Sequence, residues 1–195
     1  MKLAIFGGTF DPIHEAHLAI AREAVRRWNL ARVLFIPAGL PPHKAGFTHA
    51  PYEDRYRMVE LACAPEPRFE PSRLEQGARF SYSIDTIEKV RATLPEDREL
   101  YFIIGADAFA EIRTWRRWRD VVAAVRFLVV SRPGHRYDIP AGAEVFRLDD
   151  LNLPVSSSEI RRRLAAGDDR VPVPPAVLDY IRQHGLYRES RAETG

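Results

Sequence analysis

One stretch near the start of the chain limits its fold more than any other: Gly7-Gly8-Thr9-Phe10-Asp11-Pro12-Ile13-His14-Glu15-Ala16-His17. It follows the apolar run Leu3-Ala4-Ile5-Phe6, the pattern of a short buried strand. It leads into a helix pattern with Leu18, Ile20, Ala21, Ala24, Val25 and Trp28 apolar and Arg22, Glu23, Arg26 and Arg27 polar. A second apolar run, Val33-Leu34-Phe35-Ile36-Pro37, completes strand, helix, strand, and so implies a parallel sheet. Open α/β sheets bind ligands beyond the carboxyl ends of their strands, which is where this turn falls. Gly7 and Gly8 have no Cβ to keep a ligand from the backbone. The first N–H groups of a helix and its dipole favour an anion. His14 and His17 are spaced to share one helix face and point together at that anion.

Blander readings compete. Two glycines after a strand also make an ordinary tight turn. Neither GxxxxGK[ST] nor GxGxxG is present. Two histidines at this spacing could bind a metal, but no third His, Cys or carboxylate stands at ligand spacing, so a zinc site is disfavoured. The whole stretch favours phosphate.

The length of 195 residues suits one domain with room for a small appended lobe, and the 46% apolar share supports a sizeable core. A net charge of +2 gives no general nucleic-acid surface. The single cysteine, Cys63, sits in an apolar helical pattern, excludes an internal disulfide and suits a reducing cytoplasm. No signal peptide is seen, and no apolar run approaches the ~20 residues of a membrane span.

Further along, Ala38 to Gly46 is a loop rich in Pro, Gly and His that carries Lys44, one of three lysines against 26 arginines. Tyr52 to Ala64 reads as an amphipathic helix and Phe69 to Ser72 as a short strand. Phe80-Ser81-Tyr82-Ser83-Ile84-Asp85-Thr86 opens a helix whose buried stripe is Ile84, Ile87, Val90 and Leu94, with Pro95 as its stop and its Ser and Thr as caps. Leu100 to Ile104 is the clearest central strand. Asp107, just beyond it, can accept hydrogen bonds from ribose hydroxyls or cap the next helix. Phe127 to Val130 is another strand, with Arg132 at its carboxyl end as a phosphate candidate, and Val145 to Leu148 is the last strand. Ser156 and Glu159 form a capping box that starts a helix with Ile160 and Leu164 apolar and Gly167 as stop. Ser156, Ser157, Arg161 and the free N–H groups meet at that helix end, which is good anion chemistry. A final helix opens at Pro174-Pro175 and closes at Gly185, before Leu186-Tyr187.

GGTFDPIHEAH resembles the GGTFDPIHxGH signature of the nucleotidyltransferase superfamily that carries the (H/T)xGH motif, with Ala16 in place of the motif glycine. Val155 to Arg161 resembles its ISSTxIR motif, with Ser158 in place of threonine. The PPHK string around Lys44, the SYSIDT segment, GAD followed by Trp115 and Trp118, the RPG turn at Arg132 and the VPxxVxxYI…GLY ending are similar to the nicotinate-nucleotide adenylyltransferases within it. The resemblance spans about residues 1–188. It implies a Rossmann-like, doubly wound α/β domain with a parallel sheet and a helical carboxyl-terminal lobe at about 154–188. By its own residues the stretch 189–195 reads as a frayed, disordered tail.

The implied activity is adenylyl transfer from ATP to nicotinate mononucleotide, giving deamido-NAD and pyrophosphate. Gly7, Gly8, Thr9, Phe10, His14, His17, Asp107, Ser156, Ser157 and Arg161 would bind ATP. His14, His17, Lys44 and Arg161 would carry catalysis, with His17 at the α-phosphate. Lys44, Tyr82, Ser83, Thr86, Trp115 and Arg132 would hold the nicotinate nucleotide, Trp115 by stacking on its ring, while Trp118 stays in the core. Mg²⁺ would ride on the ATP phosphates, with no metal ligand from protein side chains. Expected partners are small molecules, with neither nucleic acid nor membrane, and homo-oligomerisation is left open. Rival expectations are a sister transferase acting on nicotinamide mononucleotide or phosphopantetheine, and a nucleotide-binding protein without turnover.

Overall fold

The computed structural model describes residues 1–39, 49–78, 80–151 and 153–188. Lys44 and the 189–195 tail therefore lie outside the described residues. The chain forms β1 (Lys2–Gly8), α1 (Glu15–Trp28), β2 (Arg32–Pro37), α2 (Tyr52–Cys63), β3 (Phe69–Pro71), α3 (Ser83–Ala92) and β4 (Glu99–Gly105). It continues through α4 (Ala106–Ala110), a 3-10 turn (Ile112–Thr114), α5 (Trp118–Ala124), β5 (Arg126–Val130), β6 (Glu144–Leu148), α6 (Ser157–Ala165) and α7 (Pro175–His184).

All six strands are parallel, in the order β3-β2-β1-β4-β5-β6. This is the doubly wound, Rossmann-like order, with its reversal between β1 and β4. Alternate residues of each strand feed two separate cores, as the period of a strand requires. Ala4, Phe6, Val33, Phe35, Tyr101 and Ile103 pack under α1, α2, α6 and α7. Leu3, Ile5, Leu34, Ile36, Phe102 and Ile104 pack on the other face under α3, α4 and α5. A sheet buried on both faces explains why its strands read as continuous apolar runs.

Four local details differ from expectation. Gly7 and Gly8 end the strand itself, paired in register with Ile36 and Pro37, and the turn begins only at Thr9. His14 is not on α1: it is the extended N-cap, and only His17 lies within the helix. The cap of α3 is Tyr82, with no side-chain capping bond from a Ser or Thr. The box on α6 is half made: Ser156 Oγ accepts from the Glu159 N–H at 3.2 Å, while the Glu159 carboxylate turns to Arg162. Among the described residues no helix is long and apolar enough to cross a membrane.

Candidate active site

At the carboxyl end of β1 the chain turns sharply into α1. Phe10 takes a positive φ of 49°, and its ring packs edge-on to Phe6 and His17, at 5.8 and 5.0 Å between centroids. A large residue holds that backbone region only where its surroundings compel it. The ring faces the core, so what Phe10 offers a ligand is its backbone, and the ring itself props His17.

The two histidine rings stack at 3.7 Å. The N–H of His14 donates to Nδ1 of His17 at 3.1 Å. With Nδ1 an acceptor, the ring proton of His17 belongs on Nε2, a donor aimed away from the backbone. Burial lowers the pKa of His14 to about 4. Burial, then the neighbouring His14, holds His17 well below the usual histidine value. Both rings are therefore neutral at physiological pH and act as hydrogen-bond donors. Nδ1 of His14 is buried with no hydrogen-bond partner among the described residues.

The amino end of α6 is fastened to the same turn. Ser157 Oγ donates to the carbonyl of Pro12 at 3.0 Å, and Arg161 Nη1 to the carbonyl of Asp11 at 2.8 Å. Arg161 Nη2 reaches Ser158 Oγ at 3.3 Å. Two segments 145–150 positions apart thus meet beyond the carboxyl end of the central strand β1. Beside Arg161 an open pocket of about 340 Å³ is lined by His49, Ser158, Arg161, Arg162, Ala165, Tyr187 and Arg188, cationic on several sides.

The other candidates divide by sheet face. Asp107 is in the first turn of α4, fully exposed beyond β4, where Gly105 takes the cap position. Its Oδ1 lies 3.9 Å from Nε2 of His135. Tyr82 and Trp115 pack against the second core, Trp115 edge-on to Phe102 at 6.2 Å. The Arg116 guanidinium lies over the Tyr82 ring at 4.9 Å. Ser83 is half-buried as the first residue of α3. Thr86 is buried, and its hydroxyl is already engaged with Glu75 at 2.6 Å. Arg132 is exposed just past β5. Trp118 is half-buried on the second core as expected, with Arg119 over its outer face at 4.4 Å. Ala16 is 4% exposed, so its methyl is packed inside the protein and does not line the open crevice.

Sequence reasoning missed three residues. Asp11 and Arg55 are buried charges, and Tyr187 donates to Asp11 at 2.6 Å. An Arg inside an amphipathic helix pattern looks like a solvated position until its depth is known. It also missed that Pro172 accepts from the Glu15 N–H at 2.9 Å, which removes one of the free donors expected of α1.

Among the described residues no group of three or more His, Cys, Asp or Glu is placed to hold a metal ion. The Asp11 carboxylate is fully engaged by hydrogen bonds from His49, Ala50 and Tyr187.

Residues 5–163 match the cytidylyltransferase-like family. A probable nicotinate-nucleotide adenylyltransferase of Solibacter usitatus is 71% identical over 187 residues, which is 96% of this chain and all of that protein. A protein of the same description from Thermus thermophilus is 45% identical over 96% of this chain and all of its own length. The fold is shared with Plasmodium falciparum nicotinic acid mononucleotide adenylyltransferase, solved in complex with NaAD, at a TM-score of 0.78 and 19% identity over 95% of this chain and 97% of that one.

Proposed function

The chain belongs to the cytidylyltransferase-like family and stands within it among the nicotinate-nucleotide adenylyltransferases, and from that premise we propose that it transfers the adenylyl group of ATP to nicotinate mononucleotide. The products are deamido-NAD and pyrophosphate, a step of NAD biosynthesis. The observation that carries this reading is the fastening of α6 to the signature turn by Ser157 and Arg161, which brings a cation to the same turn that leads into the stacked histidine pair.

The 5′-phosphate of the nucleotide attacks the α-phosphorus of ATP in line, with no covalent enzyme intermediate. That nucleophile is ionised at neutral pH and needs no strong base, which suits two histidines that burial keeps neutral. The work left to the protein is positioning and charge stabilisation. His17 Nε2–H donates to an α-phosphate oxygen as charge builds there, and His14 lies stacked against it. Arg161 takes the β- and γ-phosphates that leave as pyrophosphate. Lys44, outside the described residues, receives the same task from the resemblance alone. Asp107 accepts from the ribose hydroxyls. Tyr82 and Trp115 flank the pyridine ring, with Arg132 and the start of α3 at its border.

Mg²⁺ usually keeps phosphate and water ligands, so the ion would come in on the nucleotide and ask no side-chain ligand of the protein. When bound, the ion neutralises phosphate charge.

The test is pyrophosphate release with ATP and Mg²⁺, supplying nicotinate and nicotinamide mononucleotide side by side. Release with a strong preference for the acid is expected. No release with either nucleotide overturns the proposal, and equal use of both reassigns the substrate.

A further inference from the structure

Asp11 and Arg55 are 3% and 1% exposed, and adenylyl transfer as described gives neither of them a task. They do not pair with each other. Arg55 donates to the carbonyls of Thr9 and Ala38, both at 2.8 Å, of Ala50 at 3.2 Å and of Gly39 at 3.4 Å. Asp11 accepts at Oδ2 from the His49 N–H at 2.7 Å. Its Oδ1 accepts from the Ala50 N–H at 3.1 Å and the Tyr187 hydroxyl at 2.6 Å. The carbonyl of the same Asp11 holds Arg161. Arg55 thus binds backbone just past the carboxyl ends of β1 and β2, Asp11 binds backbone just ahead of α2, and Tyr187 ties that hub to the segment after α7.

Buried charges of this kind seldom add stability over apolar residues of like volume; what a fully satisfied network does is hold one arrangement. The geometry points to Asp11, Arg55 and Tyr187 as positioning residues that keep the signature turn and Arg161 in register for the triphosphate of ATP. The inference rests on the assignment of Arg161 to the ATP phosphates made above. A separate observation agrees: Tyr187 and Arg161 line the same cationic pocket. Burial and the nearby Asp11 raise the pKa of Tyr187, so its hydroxyl stays a neutral donor.

Tyr187→Phe removes the donor and almost no volume. Calorimetric titration of the full chain with ATP and Mg²⁺ should show affinity reduced about 10- to 150-fold, the scale of one hydrogen bond to a charged acceptor. KM for ATP should rise in step, while KM for the pyridine nucleotide and kcat stay close to the parent, and Tm should fall by several degrees with the chain still folded at the assay temperature. Asp11→Asn, which sets an amide N–H against a backbone N–H, should lose more ATP affinity than Tyr187→Phe. A folded Tyr187→Phe chain with parental ATP affinity overturns the proposal. So does an equal loss for both substrates that tracks a lower folded fraction. If the parent releases no pyrophosphate, the proposed function fails by itself, and the ATP titration still decides whether the hub positions the site.

Discussion

His17 has its tautomer set before any substrate arrives: Nδ1 accepts from the His14 N–H, which leaves the ring proton on Nε2. A donor fixed in advance, beside a stacked neighbour and a ring edge, needs no rearrangement when charge develops. His17→Ala should lower kcat by about 100- to 1,000-fold, the scale of a lost transition-state donor. Single-turnover kinetics with saturating ATP would check this, and a variant of parental turnover would remove His17 from the mechanism. At this scale the residue types of the site were legible, because His, Ser and Arg in the signature strings name their own chemistry. Which atom each presents was not. That depends on the N-cap role of His14 and on the inward ring of Phe10, both set by tertiary contacts. Thr86 shows the same gap: the SYSIDT string marks it for a ligand, and its hydroxyl is already given to Glu75.

Among the elements, the segment between β3 and α3 locks against the end of β2. Gly39 donates its N–H to Ser81 Oγ at 3.0 Å, and a Cβ at Gly39 would fall 2.3 Å from the Glu75 carbonyl oxygen and 3.1 Å from that of Ala78. Backbone on both sides leaves no flexible atom to give way. Gly39→Ala should therefore destabilise the fold by about 1–3 kcal/mol, as overpacked sites do, and push Ser81 to Thr86 out of place. Urea unfolding would read the first effect. A rise in KM for the pyridine nucleotide larger than that for ATP would read the second, and an unchanged chain on both counts would show the interlock to be slack. Here the six strands and helices α1, α2, α3, α6 and α7 were legible from apolar periodicity to within about three residues, while the break of the segment after β4 into α4, a 3-10 turn and α5 was not. The interlock was not, because the absence of a side chain at Gly39 says nothing of what stands opposite.

Across the whole molecule, pH acts through the buried histidines. Below about pH 6.5 the unfolded chain takes up protons at His14 and His17, whereas the folded chain leaves His14 neutral down to about 4. Stability is thus complete above pH 6.5 and is lost as pH falls across that window. His14 alone accounts for about 3 kcal/mol of the loss. Urea titrations at pH 7.5, 6 and 5 should show the decline, with a shallower slope in His14→Gln; parallel slopes would place the acid sensitivity elsewhere. The six-stranded parallel sheet was legible at this scale because strand and helix alternate along the chain. The hub of Asp11, Arg55 and Tyr187 was not, since it joins three separate regions and each member alone looks ordinary.

The bond between Tyr187 and Asp11 crosses 176 positions of sequence, and it bears on how the protein is made. A ribosome releases β1 and its turn first and residue 187 long afterwards, at roughly 5–20 residues per second. For many seconds the emerging chain holds most of a nucleotide cradle without the tyrosine that completes it. Cellular ATP can therefore give its full stabilisation only to a chain translated past that tyrosine. Nascent chains halted before that point are left to chaperones and proteases, while completed ones gain a ligand that favours the folded state.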